Sequence, residues 1–222
     1  MNLAKYIDHT LLKATAVEED IIQLCAEARQ YHFCAVCVNS AYVALSKKEL
    51  NTSDVKIASV AGFPLGAMDT LSKIKEAEIA VNHGADEIDM VINIGFLKDQ
   101  KYNLVEGEIR LLKECIGDKI LKVIIETCYL SDDEKRIATM AVLNAGADFV
   151  KTSTGFGTGG ATLEDVELMK SVAQNKILIK ASGGIRDYET AKKYIDLGVA
   201  RIGTSNGVQI VSGQQGGMQQ NY

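Results

Sequence analysis

Short runs rich in valine and isoleucine recur along the chain, and each is followed by a polar stretch with helical spacing. Seven runs are clear, and the shorter YIDHT (6–10) is a candidate strand placed before them. The seven are CAVCVN (34–39), KIASVAG (56–62), EIDMVIN (87–93), KVIIET (122–127), FVKTST (149–154), ILIKASG (177–183) and ARIGTS (200–205). The stretches between them place apolar residues at i, i+3 and i+4, and several end in glycine. The pattern predicts strands that alternate with helices.

Strands and helices that alternate at roughly 25–35-residue intervals form a parallel sheet. Eight such units in 222 residues predict the α/β class, as a single-domain (β/α)8 TIM barrel. An open doubly wound sheet is the alternative. The absence of an early G-x-G-x-x-G and the polar residues within the strands favour the barrel. We expect the barrel domain to cover residues 1–211 and a mobile Gly/Gln-rich tail to cover residues 212–222.

Composition narrows the functional classes. The 24 basic and 29 acidic residues give a net charge of −5, which does not favour nucleic-acid binding. The five cysteines are odd in number and scattered, as in a protein of a reducing compartment. The N-terminus lacks a signal-peptide pattern, and no apolar run approaches the ~20 residues of a membrane span. We therefore expect a cytoplasmic protein that binds neither nucleic acid nor membrane.

Charged residues within the predicted strands are the candidate chemistry. Alternate strand residues face the interior of a barrel, so Lys151 and Lys180 on neighbouring strands and Asp89 on a third converge there. A single strand lysine more often extends to the rim or pairs with a carboxylate. Two lysines side by side, partly desolvated, lower each other's pKa. A lysine at its reference pKa is neutral in about one molecule in 2,500 at pH 7, and a neutral amine is what attacks a carbonyl to form a Schiff base.

Glycine-rich turns follow the last three predicted strands. In barrel enzymes, phosphate groups often bind at the loops after strands seven and eight, where backbone N–H groups at helix N-termini face the ligand. We expect a small phosphorylated aldehyde or ketone to be bound there by Gly155, Gly183, Gly184, Arg186, Gly203, Ser205 and Asn206.

The motifs KTSTG (151–155), KASGGIR (180–186) and EIDMV (87–91) resemble those of the deoxyribose-phosphate aldolase family of class I aldolases. The likeness extends over nearly the whole chain, including IDHTLL (7–12), GFP (62–64) and KVIIET (122–127). It implies reversible cleavage of 2-deoxy-D-ribose 5-phosphate to acetaldehyde and D-glyceraldehyde 3-phosphate.

The resemblance also implies roles for individual residues. Lys151 forms the Schiff base, Lys180 keeps that amine neutral and joins in proton transfer, and Asp89 relays protons. It implies no metal or organic cofactor, since the iminium itself withdraws electrons, and a homodimer as the oligomer. Further candidates to line the site are Asp8, Thr10, Cys37, Lys122 and the terminal Tyr222. In some family members a second basic residue follows the TSTG motif, where this chain has Phe156.

Two other functions stay open from the residues alone. One is a transaldolase-like enzyme acting on longer phosphosugars, and the other is a barrel that binds a phosphorylated metabolite without catalysis. The C-x-x-C spacing of Cys34 and Cys37 suggests a redox or metal site, but residues i and i+3 of a strand face opposite sides. The acidic run after Ser131 is interpreted as the capped first turn of a helix.

Overall fold

The structure, a computed structural model, describes residues 2–213 of the chain. Eight parallel strands form a closed barrel in which each strand pairs with the next and the last pairs with the first. The predicted TIM barrel is thereby confirmed. The strands are β1 (Ile7–Leu11), β2 (Ala35–Val38), β3 (Lys56–Ala61), β4 (Glu87–Val91), β5 (Ile120–Ile124), β6 (Phe149–Lys151), β7 (Leu178–Ser182) and β8 (Arg201–Thr204).

Helices surround the barrel. They are α1 (Glu18–Tyr31), α2 (Val43–Glu49), α3 (Thr70–Asn82), α4 (Ile94–Lys98), α5 (Tyr102–Ile116), α6 (Asp132–Asn144), α7 (Leu163–Ala173), α8 (Tyr188–Asp196) and α9 (Gly207–Ser212). Short 3-10 turns cover Leu3–Tyr6, Ser40–Tyr42 and Thr127–Tyr129. Within residues 2–213, none of these helices has the length and apolar character needed to cross a membrane. The predicted tail lies largely outside the described residues.

Local sequence explains where the helices begin and end. Ser131 caps α6 by accepting a hydrogen bond from the Glu134 N–H, and the Glu134 carboxylate accepts one from the Ser131 N–H. This reciprocal capping box confirms the interpretation of the acidic run as a helix start. After the same helix, Gly146 adopts a φ of +77°, a left-handed conformation that ends the helix and turns the chain into β6. The repeated helix–glycine–strand links of the sequence are these turns.

The two faces of each strand have opposite roles. The outward face packs against the helices and forms the main hydrophobic core, in which Ile88 and Met90 of β4 are fully buried. The inward face carries the polar side chains and a smaller apolar cluster. Because side chains alternate along a strand, each polar position placed inward leaves its neighbours for the core.

Every strand that corresponds to one of the seven clear runs ends before its run does, and the two runs that leave the sheet earliest do so at the mouth of the barrel. KVIIET leaves the sheet after Ile124, since Glu126 takes a left-handed conformation with a φ of +53°. FVKTST ends at Lys151, and the Thr154 N–H donates to the Glu126 carboxylate instead of to a neighbouring strand. The chain segments after β5 and β6 stay joined by a backbone hydrogen bond from the Thr127 N–H to the Thr152 carbonyl oxygen, and one residue pair later the Glu126 side chain takes over.

Candidate active site

Among residues 2–213, seven charged side chains fill the interior of the barrel. Strand register places Asp89 beside Lys122, Lys151 beside Lys180, and Lys180 beside Arg201. All are buried. Four are basic and three are acidic, so that the group holds one positive charge in excess when every member is ionised. We call this group the interior ion cluster: Asp8, Glu87, Asp89, Lys122, Lys151, Lys180 and Arg201.

Asp89 lies at the centre of the interior ion cluster. One of its carboxylate oxygens, Oδ2, accepts hydrogen bonds from Lys151 at 2.7 Å and from Lys180 at 2.8 Å. The other, Oδ1, accepts one from Lys122 at 2.8 Å. Burial by itself would raise the pKa of Asp89, but the three ammonium groups together hold it well below its usual value. Asp89 is therefore a carboxylate shared among three lysines.

The two predicted lysines have different surroundings. Lys180 contacts two carboxylates, those of Asp8 and Asp89. Burial would lower its pKa, but these two negative charges raise it above the usual lysine value. Lys151 is paired with Asp89, whose oxygen it shares with Lys180. Burial lowers the pKa of Lys151, Asp89 opposes that change, and the positive charge of Lys180 lowers the pKa further. Lys151 is thus the amine that gives up its proton more readily.

The side of the cluster away from Lys151 contains two residues that were not among the predicted site residues. The Arg201 guanidinium donates to Asp8 at 2.7 Å and to Glu87, and Lys122 pairs with Glu87 at 2.5 Å. Glu87 is thus paired with two cations and Arg201 with two carboxylates, and the contact with Arg201 holds Asp8 in place beside Lys180. The alternation of β4 already places Glu87 on the same face as Asp89, but nothing in the sequence pairs it with Arg201.

A small apolar cluster completes the interior. Leu12, Cys37, Ala58 and Val60 pack together, with the partly buried Phe63 against them. Burial, and next the charge of Asp89, raise the pKa of the Cys37 thiol, so that it stays protonated and acts as an apolar surface. Cys34 and Cys37 are not bonded to each other. Among residues 2–213, no three His, Cys, Asp or Glu side chains are grouped so as to hold a metal ion.

The predicted phosphate-binding residues lie around two neighbouring cavities at the carboxyl ends of the strands. A narrow cavity of about 20 Å³ is lined by Lys151 and by Thr10, Gly155, Gly183 and Gly203. A wider groove of about 410 Å³ is lined by Arg186, Ser205 and Asn206, and it shares Thr10 with the first. Gly184 lies at the exposed turn after β7, with a φ of +83°. Tyr222 lies outside the described residues.

Glu126 is a further residue of the site region that was not predicted. Its carboxylate is buried and accepts hydrogen bonds from the Thr154 N–H, at 3.2 and 3.3 Å to its two oxygens, and from the Thr154 hydroxyl. Burial raises the pKa of Glu126, while these donors lower it in part. An acidic residue near the end of a Val/Ile-rich run was the available sequence signal, but its partner lies 28 residues further along the chain.

Known proteins resemble this chain over its full described length. Residues 2–213 match the family described as DeoC/LacD family aldolase. A deoxyribose-phosphate aldolase of Finegoldia magna is 55% identical over 213 residues, which are 96% of this chain and 100% of the relative. The solved structure of the aldolase QR15 has a TM-score of 0.91 at 43% identity, covering 95% of this chain and 94% of the other. A tetrameric deoxyribose phosphate aldolase from Aeropyrum pernix has a TM-score of 0.86 at 34% identity, covering 95% and 89%.

Proposed function

The chain belongs to the DeoC/LacD family of aldolases, and we propose that it catalyses the reversible cleavage of 2-deoxy-D-ribose 5-phosphate. The products are acetaldehyde and D-glyceraldehyde 3-phosphate, so the enzyme is a lyase that breaks a carbon–carbon bond. The observation that carries the proposal is the pair of unlike lysines. Lys151 borders the narrow cavity with a lowered pKa, and Lys180 beside it is held protonated.

Lys151 is the nucleophile in this proposal. Its neutral amine attacks the C1 aldehyde of the open-chain sugar phosphate, and loss of water from the adduct leaves an iminium. Lys180 supplies the proton that the departing hydroxyl needs, because it carries one at neutral pH and contacts the same Asp89 oxygen as Lys151. Asp89 then returns protons between the two amines.

Cleavage breaks the bond between C2 and C3. Removal of the proton from the C3 hydroxyl turns C3 into the aldehyde of glyceraldehyde 3-phosphate, and the C2–C3 electron pair moves into the iminium to give an enamine. Protonation of the enamine at C2 and addition of water release acetaldehyde and restore the Lys151 amine. The iminium is the electron sink, so this route uses neither a metal nor an organic cofactor.

The two cavities suit the two ends of the substrate. The narrow cavity opens at Lys151 and has room for about one water-sized group, and the apolar cluster of the barrel interior suits the two-carbon fragment that becomes acetaldehyde. The wider groove has the volume of a small-molecule site. We assign the phosphate-bearing end to the glycine turns and to Arg186, Ser205 and Asn206 at the boundary of the two.

The proposal includes an assembly and a location. We infer a homo-oligomer, with the dimer implied by the family resemblance as the expected form, and a cytoplasmic enzyme. The Aeropyrum pernix relative is described as tetrameric, so light scattering coupled to size-exclusion chromatography should distinguish a dimer from a tetramer.

Trapping the covalent intermediate tests the function. The protein is incubated with acetaldehyde, reduced with borohydride and digested for peptide mass spectrometry, with Lys151→Ala as the control. We expect an ethyl group on Lys151 and none at that peptide in the variant. An adduct on Lys180 alone would keep the aldolase class and reverse the roles of the lysines. With no specific adduct and no cleavage of deoxyribose 5-phosphate, the protein would instead be a non-catalytic binding barrel.

A further inference from the structure

The segment after β6 is held at Thr152 and Ser153 by hydrogen bonds to β7, and at Thr154 by the buried side chain of Glu126. Glu126 follows β5 in a left-handed conformation, with a φ of +53°, that aims its carboxylate under this segment. Two donors of Thr154 converge on it, the backbone N–H and the hydroxyl. A buried carboxylate that is held by uncharged donors is costly to maintain. Such a cost suggests a function beyond packing.

The direction of the hydrogen bonds defines what Glu126 must provide. The Phe156 N–H lies 3.0 Å from the Thr154 hydroxyl oxygen. Since a backbone N–H can only donate, the hydroxyl oxygen is the acceptor of this bond. The one hydroxyl proton of Thr154 is then directed to Glu126. Glu126 therefore accepts from both donors of Thr154 and, at 3.9 Å, from the Cys128 thiol, and a chain of bonds runs from it through Thr154 to Phe156.

This chain of bonds encloses the glycine that lines the narrow cavity. Gly155 lies between Thr154 and Phe156, the two residues that the chain of bonds fixes, and it borders the cavity together with Lys151. On the far side, Gly157 packs so closely that a Cβ atom there would lie 2.9 Å from the Cys128 Sγ and 3.2 Å from the Glu126 Cδ. The turn of residues 154–157 therefore lies against Glu126 at both of its ends, Thr154 and Gly157.

We propose that Glu126 is a positioning residue for the phosphate-bearing end of the substrate, acting through Thr154 on the Gly155–Gly157 turn. This inference rests on the proposed function, because it assigns that end of the sugar to the glycine turns. Glu126 touches neither the reacting carbons nor Lys151 in this role. Its loss should affect the binding of phosphorylated substrate more than the chemical step.

The test compares two substrates and a matched set of variants. Glu126→Gln keeps the size of the side chain but replaces one acceptor oxygen with an NH2 group. Thr154→Val removes the hydroxyl, and Thr154→Ser, the conservative control, keeps it. For each, KM and kcat are measured for cleavage of 2-deoxy-D-ribose 5-phosphate and of unphosphorylated 2-deoxy-D-ribose, and thermal unfolding is measured in parallel.

We expect Glu126→Gln and Thr154→Val each to raise KM for the phosphorylated sugar by about 10-fold to 100-fold, as for the loss of a hydrogen bond to a charged group. For the unphosphorylated sugar, the rise in KM should be at least 10-fold smaller, because this substrate has no phosphate group for the turn to bind. Thr154→Ser should keep the wild-type ratio between the KM values of the two substrates, because it keeps the hydroxyl. The double variant should be no worse than either single one, since both break the same chain of bonds.

Other outcomes contradict the inference in distinguishable ways. Equal losses of kcat for both substrates would place Glu126 in the chemical step. A lowered unfolding temperature with an unchanged ratio between the substrates would make its role structural only. If the wild-type protein cleaves neither sugar, the proposed function itself fails, whatever the variants do.

Discussion

Replacing Lys180 with methionine should make the Lys151 amine harder to deprotonate. Both ammonium nitrogens contact the same Asp89 oxygen, at 2.7 and 2.8 Å, so they lie no more than 5.5 Å apart. At an effective dielectric constant of about 20, two unit charges at about 5 Å repel by about 3 kcal/mol. The substitution removes that repulsion and leaves Asp89 less shared, and both changes favour the protonated form of Lys151.

In Lys180→Met, the Lys151 amine should need a higher pH to react. Lys151 reacts as the neutral amine, so its reactivity falls as the pH drops below its pKa. Raising that pKa moves the acid limb of reactivity to higher pH. About 3 kcal/mol corresponds to a change on the order of 100-fold in the neutral fraction at a pH below the limb.

Lys180 also takes part in the proposed proton transfer, so turnover alone would not isolate the charge effect. We suggest measuring reductive ethylation by acetaldehyde and cyanoborohydride at Lys151, followed by peptide mass spectrometry from pH 6 to pH 10 (about the range between the histidine and lysine reference values). The quantity compared is the pH midpoint of the acid limb rather than the maximal rate, because Lys180 also assists the loss of water that forms the iminium. Lys122→Met is the matched control, since Lys122 contacts the other oxygen of Asp89. We expect a shift in the same direction that is smaller than for Lys180→Met.

An unchanged acid limb in a folded Lys180→Met variant would refute the argument. So would a larger shift in Lys122→Met than in Lys180→Met, because the charge nearer to Lys151 must have the larger effect. Circular dichroism and the unfolding midpoint of each variant establish whether the barrel is intact before the comparison is made.

Three further predictions concern the barrel around the site. Gly160→Ala would place a Cβ 2.3 Å from the Gly183 carbonyl oxygen; we expect about 1–3 kcal/mol of destabilisation and a raised KM, measured by denaturant unfolding and steady-state kinetics. Asp8→Asn removes one of the two negative charges that contact the buried Lys180, and we expect the free energy of unfolding to fall by about 3–5 kcal/mol near neutral pH. Because the folded-state pKa of Asp8 is lowered by cations that outweigh its burial, this loss should shrink as the pH falls below the unfolded value of about 3.9; a pH-independent difference in urea unfolding would contradict it. Ser131→Ala removes the α6 cap and should cost about 1 kcal/mol, seen as a melting temperature lower by about 2–4 °C, with kcat and KM unchanged.

The sequence by itself determined the barrel and the direction of its side chains. Alternation along a strand places Lys151, Lys180 and Asp89 inward, because a residue's face in a strand depends on its position alone. The glycines after β6, β7 and β8 mark the loops at the mouth, since glycine has no Cβ and adopts conformations such as that of Gly183, with a φ of +85°, at little cost. These features are local, and local features are what a sequence pattern encodes.

The tertiary structure alone decided which charges meet. Asp8 and Arg201 are 193 residues apart and become partners because β8 closes onto β1. The difference between Lys151 and Lys180 arises from how many carboxylates surround each amine, and the contact of Glu126 with Thr154 arises from the end of β5 turning under the next loop. A pKa or a hydrogen bond depends on distances between side chains from different strands. Those distances are set by closure of the barrel and by packing, and no spacing along the chain contains them.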